Sequence, residues 1–582
     1  MSPDETATRV RPSATERAVA VAYAGGVERR GPVTMGQANM IRCILRDDPL
    51  HINNHGVWPV PAGTPLDTVV DALRALVVRH EALRTTFEAD GAAPPGVQRV
   101  ADRGTFTVTV RDHAEFPEDA DRYAQTVARE ARAGRFRLGE EFPLRVVVLA
   151  RRGTPLFLCL AASHAVTDGS ALAVLRAEWL TLLGGRRPAP LDALTPLELA
   201  AEEATPAGRR KAAASLRYWE KVLATAPQEM FAEPRALTAE PRQPQLTLRS
   251  PRGGRALARV ARRTGSPVPT VLLTAWCTLV AHRAGQRTCV VAAPLSNRSR
   301  PELARAVNTL SQDALLSLDV GVATFDDVLR KAWGAALNAY RHSQFDALRL
   351  WEVIDRTVHE RGSRFGRDVV FNDVSGLAAI PGGDPGGPAE GPGPETGWGP
   401  EQVLPTRLLC FAYQTEPLLH LGVWADPALF TRDEAETFVT GLVRLLEAAA
   451  DQDVPLADLT EVTGVRPAER GPDWRLVDGC WVSPAAVADA LGEALGGLPV
   501  HVAVDEGAPA SLTAFIARGA APLTPDRAHA ALMRVLPGRS GVLAPRRYVI
   551  VQDPPGDPGT DAGWLRRPAL TEGTGRGPAD AS

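Results

Sequence analysis

The sequence predicts an α/β protein of several lobes, with a small α+β unit near its C-terminus. Three observations predict it. Strand-like and helix-like segments alternate from Thr105 to Leu183, the pattern of a sheet covered by helices. At 582 residues the chain exceeds what one hydrophobic core serves, so it divides into lobes. From Trp474 the pattern changes to short strands around two helices.

Taken in order, residues 1–30 are polar and aperiodic and read as a flexible lead-in. Leu66–Val78 places apolar residues every three to four positions, an amphipathic helix. Thr105–Val110 alternates as a strand does, Asp121–Arg132 reads as a helix, and Leu144–Ala150 reads as a strand. Leu156–Ala162 is an apolar run of strand length that leads to Ser163 and a lone histidine, His164. Four residues on stand Asp168 and Gly169, then a helical segment, Ser170–Leu183. Gln228–Ser250 is polar and Pro-rich, a crossover between lobes, and Pro269–Trp276 resumes as helix. Phe325–Tyr340 reads as a helix. Gly376–Pro405 is rich in Gly and Pro and reads as an irregular surface loop. The lobe resumes at Leu408–Tyr413, Leu418–Trp424 and the helix Asp433–Ala450. Helices at Ala485–Leu495 and Asp526–Val535 belong to the terminal unit.

Composition excludes several classes. A net charge of −3 offers nothing to nucleic acid or an anionic membrane. No 18-residue uncharged apolar run appears, and Met1–Arg17 has no apolar core of a secretory signal. The six cysteines are scattered without a CxxC pair, as expected of reduced thiols in a cytoplasmic protein without a metal site. There is no P-loop and no G-x-G-x-x-G after a strand.

The stretch around His164 is where chemistry concentrates. A strand delivers an imidazole to a turn, Gly169 lets the chain bend, and a helix start offers unpaired N–H groups. Such an arrangement suits a reaction in which negative charge develops on oxygen. A lone histidine after an apolar strand is more often a core residue, so the rest of the chain has to agree.

It does. Ser163-His164-Ala165-Val166-Thr167-Asp168-Gly169 resembles the H-H-x-x-x-D-G motif of nonribosomal peptide synthetase condensation domains, with Ser163 in place of the first histidine. Arg79-His80-Glu81-Ala82-Leu83-Arg84-Thr85-Thr86-Phe87 is similar to the family's R-H-E-x-L-R-T-x-F. Val33–Arg42 resembles its opening motif, matching at Gln37 and Met40. Asn297-Arg298-Ser299-Arg300-Pro301-Glu302-Leu303 resembles its G-R-x-x-P-E-L turn, with Asn, which tolerates left-handed angles, for Gly. Ala339–Asp346 resembles A-Y-x-H-Q-D-x-P-F, with the Pro and the acidic residue displaced or missing.

The resemblance implies two chloramphenicol acetyltransferase-like sandwich lobes in a V, 31–227 and 228–465, with the site in a tunnel between them. It implies an acyltransferase that forms an amide between a carrier-tethered thioester and an amine. His164 would be the base, Gly169 the oxyanion donor, and Asp168 a structural residue paired with Arg298. Ser163, adjacent to His164 in a strand, would face away from it. Residues 466–570 resemble the C-terminal subdomain of adenylation enzymes, with 571–582 a disordered tail. The chain's only lysines are Lys211, Lys221 and Lys331, so none fills that family's catalytic lysine position. The unit reads as a relic that docks or stabilises. No cofactor is expected on the chain itself; substrates ride on phosphopantetheine arms of carrier proteins acting in trans. Alternatives are an ester-forming or free-acceptor acyltransferase, or a non-catalytic module recruiting carrier proteins or tailoring enzymes.

Overall fold

The computed structural model describes residues 14–89, 94–233, 242–377, 393–507 and 509–576. The chain forms two units: Met1–Lys211 with Ser296–Gln312 and Gly376–Pro385, and Ala212–Leu295 with Asp313–Ser375 and Gly386–Ser582. The switch at Lys211/Ala212 falls inside the helix Pro206–Thr225, earlier than the expected lobe boundary at 227/228.

Among the described residues the first unit has eight strands: β1 (Ala14–Ala24), β2 (Arg29–Pro32), β3 (Asn54–Pro59), β4 (Thr85–Glu88), β5 (Val97–Val100), β6 (Arg103–His113), β7 (Leu144–Arg151) and β8 (Thr154–Ala162). Five form a mixed sheet in the order β1-β6-β7-β8-β3, and β2-β5-β4 form a smaller one. Only β6 and β7 run parallel in the larger sheet. Leu158, Leu160 and Ala162 of β8 point into a core shared with the helices Leu66–Arg79 and Gly169–Leu183. Their alternates Phe157 and Cys159 face a second core under the helix Ala120–Arg132. β8 is thus buried on both faces, which explains its unbroken apolar run.

The lead-in corrects one expectation. β1 pairs with β6 from Ala14 to Ala24, and Val21 and Tyr23 enter the core. Its outward residues are small or charged, so the period-2 signal is faint. Residues 1–13 lie outside the described part.

The second unit carries β9 (Arg242–Ser250), β10 (Thr288–Leu295), β11 (Gln312–Asp319), β12 (Val369–Asp373), β13 (Glu395–Val403), β14 (Leu408–Gln414) and β15 (Leu419–Ala425). They form one sheet in the order β11-β10-β12-β14-β15-β9-β13. Its core packs this sheet against the helices Val268–Ala284 and Arg432–Asp451. Two further expectations change here. The crossover at 228–250 holds an interior strand, β9, whose Leu246 and Leu248 are buried while alternate polar residues hide the pattern. The Gly/Pro-rich stretch 376–405 holds β13. Pro and Gly are tolerated there because β13 is the last strand of the sheet and bulges at Trp398–Glu401. Residues 378–392 of that stretch are outside the described part.

The C-terminal piece contains a hairpin, β16 (Arg475–Val477) with β17 (Cys480–Val482), and a sheet β18 (Val500–Asp505), β19 (Ser511–Ala517), β20 (Arg547–Val551), β21 (Ala569–Gly573) in that order. It has its own core but belongs to the second unit. Arg361 joins it to the rest of that unit. Its guanidinium donates to Asp478 Oδ2 and carbonyl (2.9 Å each) and to the carbonyls of Leu223 and Ala226 (2.6 Å each). Trp481 Nε1 donates to the Gly285 carbonyl at 2.9 Å. The expected disordered tail is also corrected: 571–573 are part of β21, and Arg576 donates to the Glu360 carbonyl at 2.8 Å. Residues 577–582 are outside the described part.

Among the described residues no single helix is long and apolar enough to cross a membrane.

Candidate active site

β8 ends at Ala162 and the chain turns. The Ser163 N–H donates to the Pro143 carbonyl (2.9 Å), and the Ser163 carbonyl accepts from the amides of Val166 (3.1 Å) and Thr167 (3.3 Å). The Ser163 hydroxyl accepts from the Ala165 amide at 3.3 Å. Ser163 therefore lies past the strand, buried, with its oxygen engaged by the turn it helps to close. Strand alternation is not what governs its side chain; the turn is. Asn54 of β3 braces the same turn by donating to the Thr167 carbonyl at 2.8 Å.

His164 sits on this turn, half-buried. Its Nδ1 lies 3.3 Å from Thr309 Oγ1. Burial pushes its pKa below the usual 6.5, opposed by the Asp168 charge and by the carbonyls of His164 and Thr167. The ring is thus neutral near pH 7 and able to accept a proton.

Asp168 caps the helix Gly169–Leu183. Its Oδ1 accepts from the Ala171 amide at 2.9 Å; its Oδ2 accepts from Arg298 Nη1 at 2.7 Å and the Leu310 amide at 2.9 Å. Three donors occupy the carboxylate, which fits a structural part and leaves it little capacity for chemistry. Arg298 is equally committed, donating also to the carbonyls of Ser296, Ala306 and Asn308 at 3.1 Å each. Asn297 adopts φ 56°, the left-handed conformation its place in the turn requires. The turn groups with the first unit, not with the second half of the chain that supplies it.

Gly169 is the first helical residue, and its amide has no acceptor within the helix. A Cβ there would stand 3.3 Å from Leu377 Cδ1.

His80 does not join His164. It is buried, with Nε2 2.7 Å from Glu178 Oε2, and Glu178 also takes Arg79 (2.8 Å) and Arg305 (2.9 Å). Burial raises the Glu178 pKa, but hydrogen bonds from His80 and Arg79 outweigh it and bring it to about 2. The R-H-E motif thus anchors the helix Gly169–Leu183 from behind.

Sequence reasoning missed Asn308, Thr309 and Leu310. Thr309 stands 145 residues from His164 in the chain, and no spacing rule links them. The motif at Val33–Arg42 gains a purpose from this contact. A Cβ on Gly36 would stand 2.3 Å from the Thr309 carbonyl oxygen, so only glycine lets the helix Met35–Arg46 pass. Gln37 closes that helix's capping box with Thr34 and donates to Gln98 Oε1 at 3.1 Å.

Residues 43–379, more than half of the chain, match the family described as Condensation domain. The chain belongs to the condensation-domain family. Condensation domains are acyltransferases that form amide bonds. The chain is 31% identical over 253 residues to phosphinothricin tripeptide synthetase PhsC of Streptomyces viridochromogenes, covering 41% of this chain and 23% of PhsC. It therefore spans under a quarter of that relative's length. Among solved structures, the first condensation domain of the CDA synthetase shares the fold, with a TM-score of 0.55 and 19% identity over 74% of this chain and 98% of that one. The X-domain from teicoplanin biosynthesis does so with a TM-score of 0.58 and 20% identity, over 75% of this chain and 98% of that one.

Proposed function

We propose that this condensation domain transfers an acyl or aminoacyl group from a carrier protein's phosphopantetheine thioester to an amine, with the carrier supplied in trans. The amine nitrogen attacks the thioester carbon and forms the C–N bond. His164 Nε2 takes the proton that the nitrogen loses. The oxyanion of the tetrahedral intermediate is met by the Gly169 amide at the helix start. Collapse breaks the C–S bond, and the departing thiolate recovers a proton, leaving an amide and a free thiol. General-base help of this kind is worth about 10²–10⁴ in rate. The observation that carries this reading is the placement of His164: Nδ1 within reach of the Thr309 hydroxyl, on a turn fixed by the Asp168–Arg298 pair. On this reading the chain itself binds no cofactor, the phosphopantetheine belonging to the carrier, and the protein works in the cytoplasm.

A second reading is supported by Ser163 and by the altered Ala339–Asp346 segment, in which Asp346 caps the helix Ala347–Arg361. On that reading the fold recruits other proteins without catalysis; a teicoplanin X-domain has been solved in complex with OxyB. A single experiment separates the two. Donor-loaded carrier, amine and protein are mixed and the carrier followed by intact mass. Condensed product supports transfer; carrier binding without product for every donor–acceptor pair supports recruitment.

A further inference from the structure

The second unit holds a cavity of about 240 Å³ that the motif residues do not line. Its floor is apolar: Leu246, Val423, Ala425 and Phe430. Trp398, Glu401 and Arg432 stand at its rim. A bulge in β13 creates this arrangement. Trp398 pairs with Leu246 and Glu401 with Pro244, so three steps along β13 match two along β9. In a regular strand, residues three apart point to opposite faces. The bulge turns Glu401 onto the same face as Trp398, over the cavity. Trp398 is fixed by donating from Nε1 to Glu436 Oε1 at 2.6 Å. Arg432 lies over its ring, 4.8 Å from the centroid.

Neither charge at the rim stands in an ion pair among the described residues. Among the described residues Glu401 has no hydrogen bond or ion pair, and Arg432 has only the Trp398 face. One free carboxylate and one free guanidinium at the mouth of an apolar cavity match a ligand with a cation, an anion and an aliphatic group. The volume is below the roughly 300–1,000 Å³ of sites for drug-sized ligands, which sets the ligand's size.

We propose that this cavity binds a free aliphatic α-amino acid as its zwitterion. Its carboxylate meets Arg432, its ammonium meets Glu401, and its side chain lies on Leu246, Val423 and Phe430. Bidentate geometry favours guanidinium as the carboxylate's partner. The inference stands apart from the condensation chemistry, because its test reads binding alone.

Calorimetric titration of the full chain with L-leucine, 4-methylpentanoate and 3-methylbutylamine tests it. Leucine is expected to bind, and each analogue, lacking one charge, to bind about tenfold or more weakly. Glu401→Gln and Arg432→Gln should each weaken leucine by a similar factor with unchanged thermal unfolding, and Ala435→Trp, which fills the cavity, should abolish it. Absence of leucine binding overturns the proposal. So does binding that survives both charge substitutions, or 4-methylpentanoate binding as tightly as leucine.

Discussion

Arg298 Nη1 lies 2.7 Å from Asp168 Oδ2, and both side chains are almost wholly withdrawn from water, at 6% and 3% exposure. This pair ties the turn that carries His164 to the segment that carries Thr309. Removing one partner of a buried pair strands the other charge, at about 3–5 kcal/mol. Asp168→Ala should therefore lower stability by that amount in chemical denaturation and reduce activity with it. Asp168→Asn keeps the shape and should cost less. An Asp168→Ala variant as stable as wild type would show that the pair does not hold the turn.

On the proposed mechanism Thr309 positions His164, and Gly36 gives it room. Thr309→Val removes one hydrogen bond, worth about 0.5–1.5 kcal/mol, and should slow transfer up to about tenfold. It should also shift the acid limb of the pH–rate profile, and Thr309→Ser should restore both. Gly36→Ala pushes a Cβ against the Thr309 carbonyl and should cost about 1–3 kcal/mol of stability. Activity unchanged in both Thr309→Val and Gly36→Ala would remove Thr309 from the account.

Much of this was legible in the sequence because local periodicity and local motifs coincide. The strand into His164, the helix after Gly169 and the turn at Arg298 each announce themselves within about ten residues. What stayed hidden depends on distance in the chain or on weak alternation. Thr309 reaches His164 only through the fold. β1 and β9 alternate small, polar or charged residues with few large apolar ones. β13 carries Gly and Pro that an interior strand would reject and an edge strand accepts.

The helix Met35–Arg46 meets Glu203, whose Oε2 accepts from the Met35 amide at 2.8 Å. Burial raises the Glu203 pKa to about 7, against that hydrogen bond. Between its usual 4.5 and about 7 the folded protein holds a proton that the unfolded chain releases. Stability from this group is therefore present at pH 4.5 and lost as pH rises to about 7. Thermal unfolding should show wild type losing stability across that window relative to Glu203→Gln. Parallel curves for the two proteins would contradict it.

Arg361 satisfies two carbonyls outside the C-terminal piece and one residue within it. Arg361→Ala leaves buried acceptors unpaired, at about 1–3 kcal/mol each before relaxation. It should lower the thermal midpoint of the second unit and raise protease cleavage between 466 and 475. Unchanged stability would mean that the C-terminal piece is not fastened by this residue.

With His164 as the proposed base, the pH dependence of transfer follows from its burial. Its pKa lies below 6.5, and a base must be deprotonated to act. The rate should fall as pH drops through a value below 6.5 and be level near neutrality. A rate that rises as pH falls would contradict a base.

The most direct measurement compares wild type with His164→Ala in single turnover, using donor-loaded carrier and an amine, with the carrier followed by intact mass. Wild type should give condensed product, and the variant, at equal stability, a rate about 10²–10⁴ lower. Equal rates from the two proteins would contradict it.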